Sequence, residues 1–205
     1  MERPQIVKVD DNKTSGGNLT ISYSEPYSAA VTIKGSSDFL FHRWNCEGVA
    51  AKAAAGKNSK AKKTDDIESY VWRNEEGELC IPGEYVRMSI LYAAKFKQDP
   101  RSPRKSAMDL FKAGVVSTTQ LASLKVKSWD YLDTRRVQIQ RNGINRTRPA
   151  MKVGWEADFQ FEILTPEWID QHLFREVISM AGRLVGIGDF RPTYGRFSLN
   201  KFEIL

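Results

Sequence analysis

The alternation of apolar and polar residues predicts several β-strands in this chain. The clearest case is Trp155–Ile163, where apolar residues alternate with Glu, Asp and Gln, as they do in a strand with one buried face. Small and β-branched residues predict another strand over Ala29–Lys34, which runs into a Gly-Ser-Ser turn. A third strand is predicted over Tyr131–Gln140. Arg141–Pro149, rich in Gly, Asn and Arg, is interpreted as the turn that follows it.

A hairpin and a C-terminal strand are also predicted. Ile67–Trp72 and Leu79–Ile81 are apolar stretches on either side of Asn74–Gly77, whose composition is typical of a hairpin turn. The last strand is predicted over Phe197–Ile204. We expect a bulge or bend within it, because its apolar positions change phase midway.

Two long helices are predicted from apolar residues spaced three and four positions apart. The second begins with Thr165 as its N-cap and Pro166 as its first helical residue, and it ends at Gly182. A shorter helix is predicted over Ala107–Ala113. The first long helix follows a Pro-Gly pair, and its wide apolar face is formed by Tyr85, Met88, Ser89, Tyr92 and Phe96, with Val86, Ile90 and Ala93 beside them. This order of elements predicts an α+β fold with helices on one face of an antiparallel sheet.

The length and composition are typical of one globular domain. The chain has 205 residues, of which 41% are hydrophobic, so residues 1–205 are long enough to bury a core as a single domain. No apolar run approaches the roughly 18 to 20 residues of a membrane span, and the first residues lack the apolar core of a secretory signal. Two cysteines and two histidines offer few metal ligands. We therefore expect a cytoplasmic protein without a membrane partner or a cofactor.

The positive charge is concentrated in segments with few apolar residues. The chain has 31 Lys and Arg against 25 Asp and Glu, a net charge of +6. Three segments, Arg43–Lys63, Lys95–Lys112 and Lys125–Lys152, carry +5, +4 and +6, which leaves −9 on the rest. Such segments are often solvated surface loops, but a concentration on this scale favours a polyanionic partner. Residues 46–66, rich in Ala, Lys, Gly and Ser, are interpreted as a flexible basic insertion.

Several residues are candidates for nucleic-acid contact. Guanidinium groups bind phosphate oxygens bidentately, and the candidate arginines are Arg43, Arg135, Arg136, Arg141, Arg146 and Arg148. Phe41 and Trp44 could stack on unpaired bases, although aromatic residues beside a strand are more often core. A glycine-rich segment near the C-terminus suits either close approach of backbone amides to phosphate or a tight structural turn. Asp38 is a candidate for recruiting Mg²⁺ in phosphodiester cleavage, and a turn-capping role is its alternative.

Three motifs resemble those of the repeat-associated mysterious protein (RAMP) superfamily, which forms the backbone of CRISPR-Cas effector complexes. LCIPGEYVRMSILYAAK resembles the helix entry of that superfamily, and VTIKGSSDFLFHRW resembles its first strand and the following loop. VGIGDFRPTYGRF is similar to the glycine-rich loop that precedes its last strand. The resemblance spans residues 29–204 in order, with the basic insertion where such subunits carry a thumb.

The resemblance implies a modified ferredoxin-like or RNA-recognition-motif-like fold that binds single-stranded guide RNA through its backbone. It implies a filament of identical copies that works with other effector subunits in antiviral defence. The implied contacts in the loop and the helix are Gly186, Gly188, Arg191, Gly195, Arg196 and Arg87. Those on the thumb are Lys57, Lys60, Lys62 and Lys63. Some members cleave target RNA with an aspartate after the first strand, to which Asp38 is the nearest match.

The leading hypothesis is therefore a non-enzymatic subunit that binds RNA phosphates without reading the bases. Three alternatives use the same charge or fold differently. The first is a phage-type protein that binds or anneals single-stranded DNA. The second is a ribonuclease that depends on Asp38 and Mg²⁺, and the third is an inhibitor that imitates a subunit of a defence complex.

Overall fold

The computed structural model describes residues 25–44, 54, 66–139 and 142–205. Among these residues, no helix is long and apolar enough to cross a membrane. Short helical turns cover Ile67–Tyr70, Ala94–Phe96 and Ala181–Val185. The strands and longer helices are, in chain order, β1 (Tyr27–Gly35), β2 (Phe39–Leu40), β3 (Trp72–Arg73), β4 (Leu79–Pro82), α1 (Gly83–Ala93), β5 (Gln98–Asp99), β6 (Ser102–Ser106), α2 (Met108–Gly114), β7 (Val115–Ser117), β8 (Leu121–Ser123), β9 (Tyr131–Ile139), β10 (Asn142–Met151), β11 (Glu156–Ile163), α3 (Gln171–Met180) and β12 (Phe197–Ile204).

The main sheet has the order β12-β1-β11-β7, and all its neighbours are antiparallel. In order of appearance these strands are the fourth, first, third and second. Helix α1 lies between β1 and β7 in the chain, and α3 lies between β11 and β12. This succession of strands and helices is ferredoxin-like, so the α+β class predicted from the sequence is confirmed.

The core lies between one face of this sheet and the helices. The apolar residues of β11 are buried, and the polar residues between them point outward. Phe161 on β11 contacts Phe174 on α3 with ring centroids 5.7 Å apart. Val86 and Ile90 of α1 are fully buried in the same core. The alternation seen in the sequence therefore decides which face of the sheet the helices cover.

The predicted irregularity in the last strand is confirmed as a β-bulge. Thr32 of β1 is opposite Lys201 of β12, whereas the next residue, Ile33, is opposite Leu199. Asn200 is therefore the extra residue. The hairpin turn over Asn74–Gly77 is also confirmed, since the Gly77 N–H donates to the Asn74 carbonyl at 3.1 Å.

The interpretation of residues 141–149 as a turn is wrong, because Asn142–Met151 form strand β10. This strand pairs with β9 from Asn142 opposite Ile139 to Ala150 opposite Tyr131. Its far end also pairs with β2. Pairing with β9 holds the Gly, Asn and Pro residues of this segment in extended backbone, so tertiary pairing overrides a composition typical of turns.

Two other boundaries differ from the prediction. Helix α3 begins at Gln171 and is capped by Asp170, whose carboxylate accepts from the Leu173 N–H at 2.7 Å. The Thr165 carbonyl instead closes a turn by accepting from the N–H groups of Trp168 and Ile169. Ile67–Tyr70 form a 3₁₀ turn rather than a strand. The better cap at Asp170 decides where the helix begins.

Candidate nucleic-acid interface

The glycine-rich loop, residues 186–196, is anchored on the connection between β1 and β2. The Gly195 N–H donates to the Asp38 carbonyl at 2.7 Å, and the Asp189 N–H donates to the Leu40 carbonyl at 3.0 Å. Within the loop, the Ile187 N–H donates to the Gly195 carbonyl at 2.9 Å. These bonds hold the loop beside β2, close to the β9–β10 hairpin, which also pairs with β2.

The loop glycines are required by backbone packing. Gly195 has φ +69°, and a Cβ there would lie 1.7 Å from the Ile187 carbonyl oxygen. A Cβ on Gly188, at φ +78°, would lie 2.4 Å from the Leu40 carbonyl oxygen. The N–H groups of Gly186 and Gly195 donate to backbone carbonyls within the protein. These two amides are thus engaged internally, and a contact of the loop glycines with RNA stays a prediction.

One face of the β9–β10 hairpin presents arginines to the loop. Arg135 is opposite Arg146, and Asp133 is opposite Arg148. Side chains of opposed residues share a face, so these four groups lie on one side of the hairpin. Arg136, the neighbour of Arg135, lies on the other side.

The carboxylate of Asp189 holds this face against the loop. Its Oδ2 lies 3.2 Å from Arg148 Nε and 3.3 Å from Arg146 Nη2, with His42 Nδ1 at 3.7 Å. The Arg148 side chain is 6% exposed and that of Asp189 is 13% exposed, whereas Arg146 is 24% exposed. Arg148 and Asp189 therefore form a nearly buried pair, and Arg146 extends this cluster towards solvent.

Aromatic rings fix the directions of the guanidinium groups. Arg148 lies 3.7 Å above the Tyr70 ring, and Arg135 lies 4.4 Å from the centroid of Tyr194. Phe190 lies 5.5 Å from Arg135 and 5.9 Å from Arg146. Because a cation above a ring is attracted by its π electrons, these contacts align the arginines without neutralising them. Arg135 is also paired with Asp133, with Nε 2.5 Å from Oδ1.

Four further cations border this cluster or lie on the back of the hairpin. Arg191 and Arg196 extend from the loop, and Arg136 from the hairpin; all three are exposed. Within the described part of the chain, none of the three has an ion-pair partner. Arg43 is exposed beside the Trp72 ring, 4.5 Å from its centroid. These side chains are available for an anionic ligand.

The two predicted stacking residues differ in exposure. Trp44 is 67% exposed, so its ring is accessible to an unpaired base. Phe41 is 1% exposed and packs edge-on against Phe39 with ring centroids 4.8 Å apart. The prediction for Phe41 is wrong, because its place in the core leaves no ring face for a ligand.

Arg87 is bonded within the protein. Its Nε donates to the Val115 carbonyl at 2.8 Å, and Nη2 donates to the Lys112 carbonyl at 2.9 Å. Its Nη1 is bonded to Glu84 at 3.0 Å. Nε and Nη2 thus join α1 to β7 and α2, while Nη1 is paired within α1. An RNA contact of Arg87 stays a prediction.

Asp38 also has structural partners. Its Oδ2 accepts from the Tyr131 hydroxyl at 2.6 Å, and its Oδ1 accepts from the Val153 N–H at 2.8 Å. Burial, and to a smaller extent the hydrogen bond to Asp38, raises the pKa of Tyr131 to about 12. The described residues contain no group of three or more His, Cys, Asp or Glu side chains that could hold a metal ion. These contacts join β9 and the β10–β11 connection to the turn between β1 and β2. A catalytic role of Asp38 stays a prediction.

His42 lies between this cluster and the solvent. Burial lowers the pKa of His42 below its ordinary value of 6.5, and the three nearby arginines lower it further; Asp189 acts in the opposite direction. The arginines are Arg146, Arg148 and Arg191. The imidazole is therefore neutral near pH 7, and the cluster's positive charge comes from the arginines.

This lowered pKa predicts a pH dependence of stability. When the pH falls below about 6.5, the unfolded chain binds a proton at His42 before the folded protein does, so the folded state loses stability. We expect the free energy of unfolding to fall more between about pH 7.5 and pH 5.5 in the wild type than in His42→Gln. Urea titrations at the two pH values measure this. Equal decreases in the two proteins would contradict the assignment.

Sequence reasoning missed the residues that organise the cluster. Asp189, Phe190 and Tyr194 come from the glycine-rich loop, and Tyr70 comes from the 3₁₀ turn. The signal available in the sequence was one acid within an otherwise basic loop, GDFRPTYGR. Their joint role depends on contacts between segments far apart in the chain. The predicted contacts Lys57, Lys60, Lys62, Lys63 and Arg141 lie outside the described residues, as does the insertion at 46–66 apart from Ala54 and Asp66.

The outward face of the main sheet carries charges of both signs. Strand β11 presents Glu156, Asp158, Gln160 and Glu162, and the outward residues of β1 and β11 include no aromatic side chain. RNA-recognition motifs stack bases on aromatic residues at this face of the sheet. The chain therefore has the strand order of such a fold without its stacking residues, and its arginine cluster lies on the hairpin and the loop instead.

Comparison with known proteins places the fold in a known class. No protein-family profile matches the sequence, and no curated protein matches it. Among solved structures, a chain of the type III-B Cmr-β complex bound to cognate target RNA matches with TM-score 0.50 and 13% identity. The match covers 88% of this chain and 61% of that chain, so this protein spans about three fifths of that neighbour's length. Cmr6 from Pyrococcus furiosus matches with TM-score 0.47 and 10% identity over 86% of this chain and 100% of that chain.

The fold defines an α+β protein of ferredoxin-like topology, as the strand order shows. The likeness to the Cmr-β chain shows that the two chains share a fold.

Proposed function

We propose that this protein is a single-stranded RNA-binding subunit of a CRISPR-type effector complex. The observation that carries the proposal is the arginine cluster that the β9–β10 hairpin and the loop 186–196 build together. The proposed surface contains two aspartates, Asp133 and Asp189, and six arginines, Arg43, Arg135, Arg146, Arg148, Arg191 and Arg196. An excess of fixed positive charge suits a phosphate backbone.

Some residues of the proposed surface stabilise the fold, and others are exposed for contact with RNA. Arg148 and Asp189 are almost buried, so they hold the hairpin on the loop. Arg191 and Arg196 are exposed and have no ion-pair partner among the described residues, so they are free to bind phosphate oxygens. Such contacts carry no sequence information, and we therefore expect RNA binding with little base preference.

The carboxylates of strand β11 support this choice of surface. A polyanion is repelled by Glu156, Asp158 and Glu162 and attracted by the hairpin and the loop. The bound strand would then lie across the hairpin and loop, with Trp44 beside Arg43 at one border. Guide RNA, further copies of this chain and other effector subunits are the partners that we propose, in a complex with an antiviral role.

A pair of charge-matched variants tests the proposal. Arg191→Gln combined with Arg196→Gln removes two exposed cations from the proposed surface, whereas Lys34→Gln combined with Lys201→Gln removes two from the sheet face. We expect the first variant to bind single-stranded RNA at least about tenfold more weakly, because hydrogen bonds to charged groups each contribute roughly 1.5 to 3 kcal/mol. The second variant should bind like the wild type. Fluorescence anisotropy with a labelled RNA measures both.

The salt dependence provides a second readout. For single strands, each phosphate contact contributes about −0.7 to the slope of log affinity against log salt, so the arginine variant should lose about 1.4 of that slope. Equal affinity of both variants, or affinity independent of salt, would overturn the proposal. Competition with DNA of the same sequence distinguishes the alternative: a preference for DNA would favour the single-stranded DNA-binding function.

A further inference from the structure

A cleft of about 290 Å³ opens between helix α1 and the loop 186–196. It adjoins the arginine cluster, because its lining includes Arg191, which borders the cluster, and His42, which lies 3.7 Å from Asp189. The remaining wall comes mainly from the exposed side of α1 and includes Glu84, Tyr85, Met88 and Tyr92. Gly188 forms the loop side of the cleft, where the close approach of the Leu40 carbonyl leaves no space for a side chain.

The residues of this wall are not the buried face of α1. Val86, Ile90 and Ala93 enter the core with almost no exposure, whereas Tyr85, Met88 and Tyr92 are half-buried. The sequence pattern placed all six on one wide apolar face. The structure divides that face into a core side and a cleft side, so two aromatic rings and a thioether remain open to a ligand.

The shape of the cleft is held by polar contacts at its edges. The Tyr85 hydroxyl donates to the His42 carbonyl at 2.5 Å, which fixes the ring of Tyr85 against the segment after β2. Glu84, the acid in the wall, is paired with Arg87 at 3.0 Å. Lys95 lies 4.9 Å from the centroid of the Tyr92 ring. Positive side chains therefore border an interior that is mainly aromatic and aliphatic.

We propose that this cleft receives one unpaired base of the bound RNA. This inference rests on the proposed function and deepens it. A nucleotide joins a flat aromatic base to a phosphate, and the site joins a cleft lined by tyrosine rings to Arg191 at its mouth. A base stacked between aromatic or aliphatic side chains is a common element of single-strand recognition. The shared residues His42 and Arg191 make the cleft continuous with the phosphate surface, which favours a base over a side chain of a protein partner.

The test compares RNA with a sugar-phosphate strand that lacks bases. Oligouridine and an abasic oligoribonucleotide of the same length carry the same phosphates, so the ratio of their affinities isolates the contribution of the bases. We expect the wild type to bind oligouridine at least about fivefold more tightly, which is the low end for one stacked base. Met88→Ala combined with Tyr92→Leu should abolish most of this preference and leave abasic binding unchanged. Phe96→Ala, an exposed aromatic beyond the end of α1, is the matched control and should keep the preference.

A second measurement does not depend on a variant. Oligouridine containing 4-thiouridine should cross-link on irradiation to the wild-type peptide that contains residues 84–92. Equal binding of the two strands, or cross-links that all lie outside this peptide and residues 42 and 191, would overturn the base site while leaving phosphate binding intact. Failure of both strands to bind would instead overturn the proposed function itself. A preference that survives in the double variant would assign base contact to another residue, such as Trp44.

Discussion

Replacing Arg148 with methionine is expected to destabilise the folded protein by about 3 kcal/mol. Arg148 is 6% exposed and bonded to Asp189, which is itself 13% exposed. Removing one partner of a buried ion pair leaves the other charge desolvated, at a cost of about 3 to 5 kcal/mol. We expect the lower value, because Arg146 and His42 remain within 4 Å of the same carboxylate.

The free energies of unfolding of three proteins test this expectation. In urea titrations, Arg148→Met should show the full loss, whereas Arg148→Met combined with Asp189→Leu should regain much of it. The double variant buries neither charge of the pair, and Arg146, which also loses Asp189, is 24% exposed and can be solvated. A single substitution that leaves stability unchanged would show that the pair does not hold the hairpin on the loop. The same result would remove the structural basis of the proposed RNA surface.

Replacing Gly195 with alanine is expected to cost about 4 kcal/mol or more, or to prevent folding. The new Cβ would lie 1.7 Å from the Ile187 carbonyl oxygen, a backbone atom held by its place in the loop. The positive φ of +69° adds the cost of a left-handed conformation, about 1 to 2 kcal/mol for a residue with a Cβ. Melting temperature and urea unfolding measure the combined effect.

Gly77→Ala separates the two causes. Gly77 has a similar φ of +77°, but nothing lies within 4 Å of a Cβ at that position. This control should therefore lose only the conformational part, about 1 to 2 kcal/mol. If both variants lost the same amount, the close packing of the glycine-rich loop on its own backbone would not contribute to stability.

These two expectations connect stability with the proposed function. Gly195 lets the loop fold back on Ile187, and the folded loop presents Asp189 to the hairpin. Asp189 then holds Arg146 and Arg148, while the loop carries Arg191 and Arg196 at the surface. Either destabilised variant would lose RNA binding because the loop that supports the arginines is lost. Substitution of the exposed Arg191 and Arg196 is therefore the better test of binding itself.

The fold could be predicted largely from local pattern. The strict alternation in residues 155–163 predicts strand β11 with its buried phenylalanines. The phase change after Leu199 predicts the bulge of β12. The helix predicted after the Pro-Gly pair is α1, which begins one residue earlier, at Gly83. These features follow from one segment and its own periodicity, which is why a single sequence determines them.

The candidate site was predicted only in part. Sequence reasoning named Arg135, Arg146 and Arg148, but it assigned the last two to a turn and gave no role to Asp189. It also assigned Phe41 to base stacking, although that ring is in the core. An apolar or charged residue beside a strand can face either side, and only the register with its neighbours decides which.

The sequence by itself determined the positions of strands β1 and β11 and of helix α1, the buried face of β11 and the concentration of positive charge. Each depends on the spacing of residue types along one stretch of chain. Only the tertiary structure decided that Asp189 meets two arginines of a distant hairpin, that Arg87 is used internally and that α1 turns two tyrosines towards a cleft. These outcomes depend on pairings between segments tens of residues apart, where the geometry of strand register and loop anchoring selects one set of contacts among many that the same composition allows.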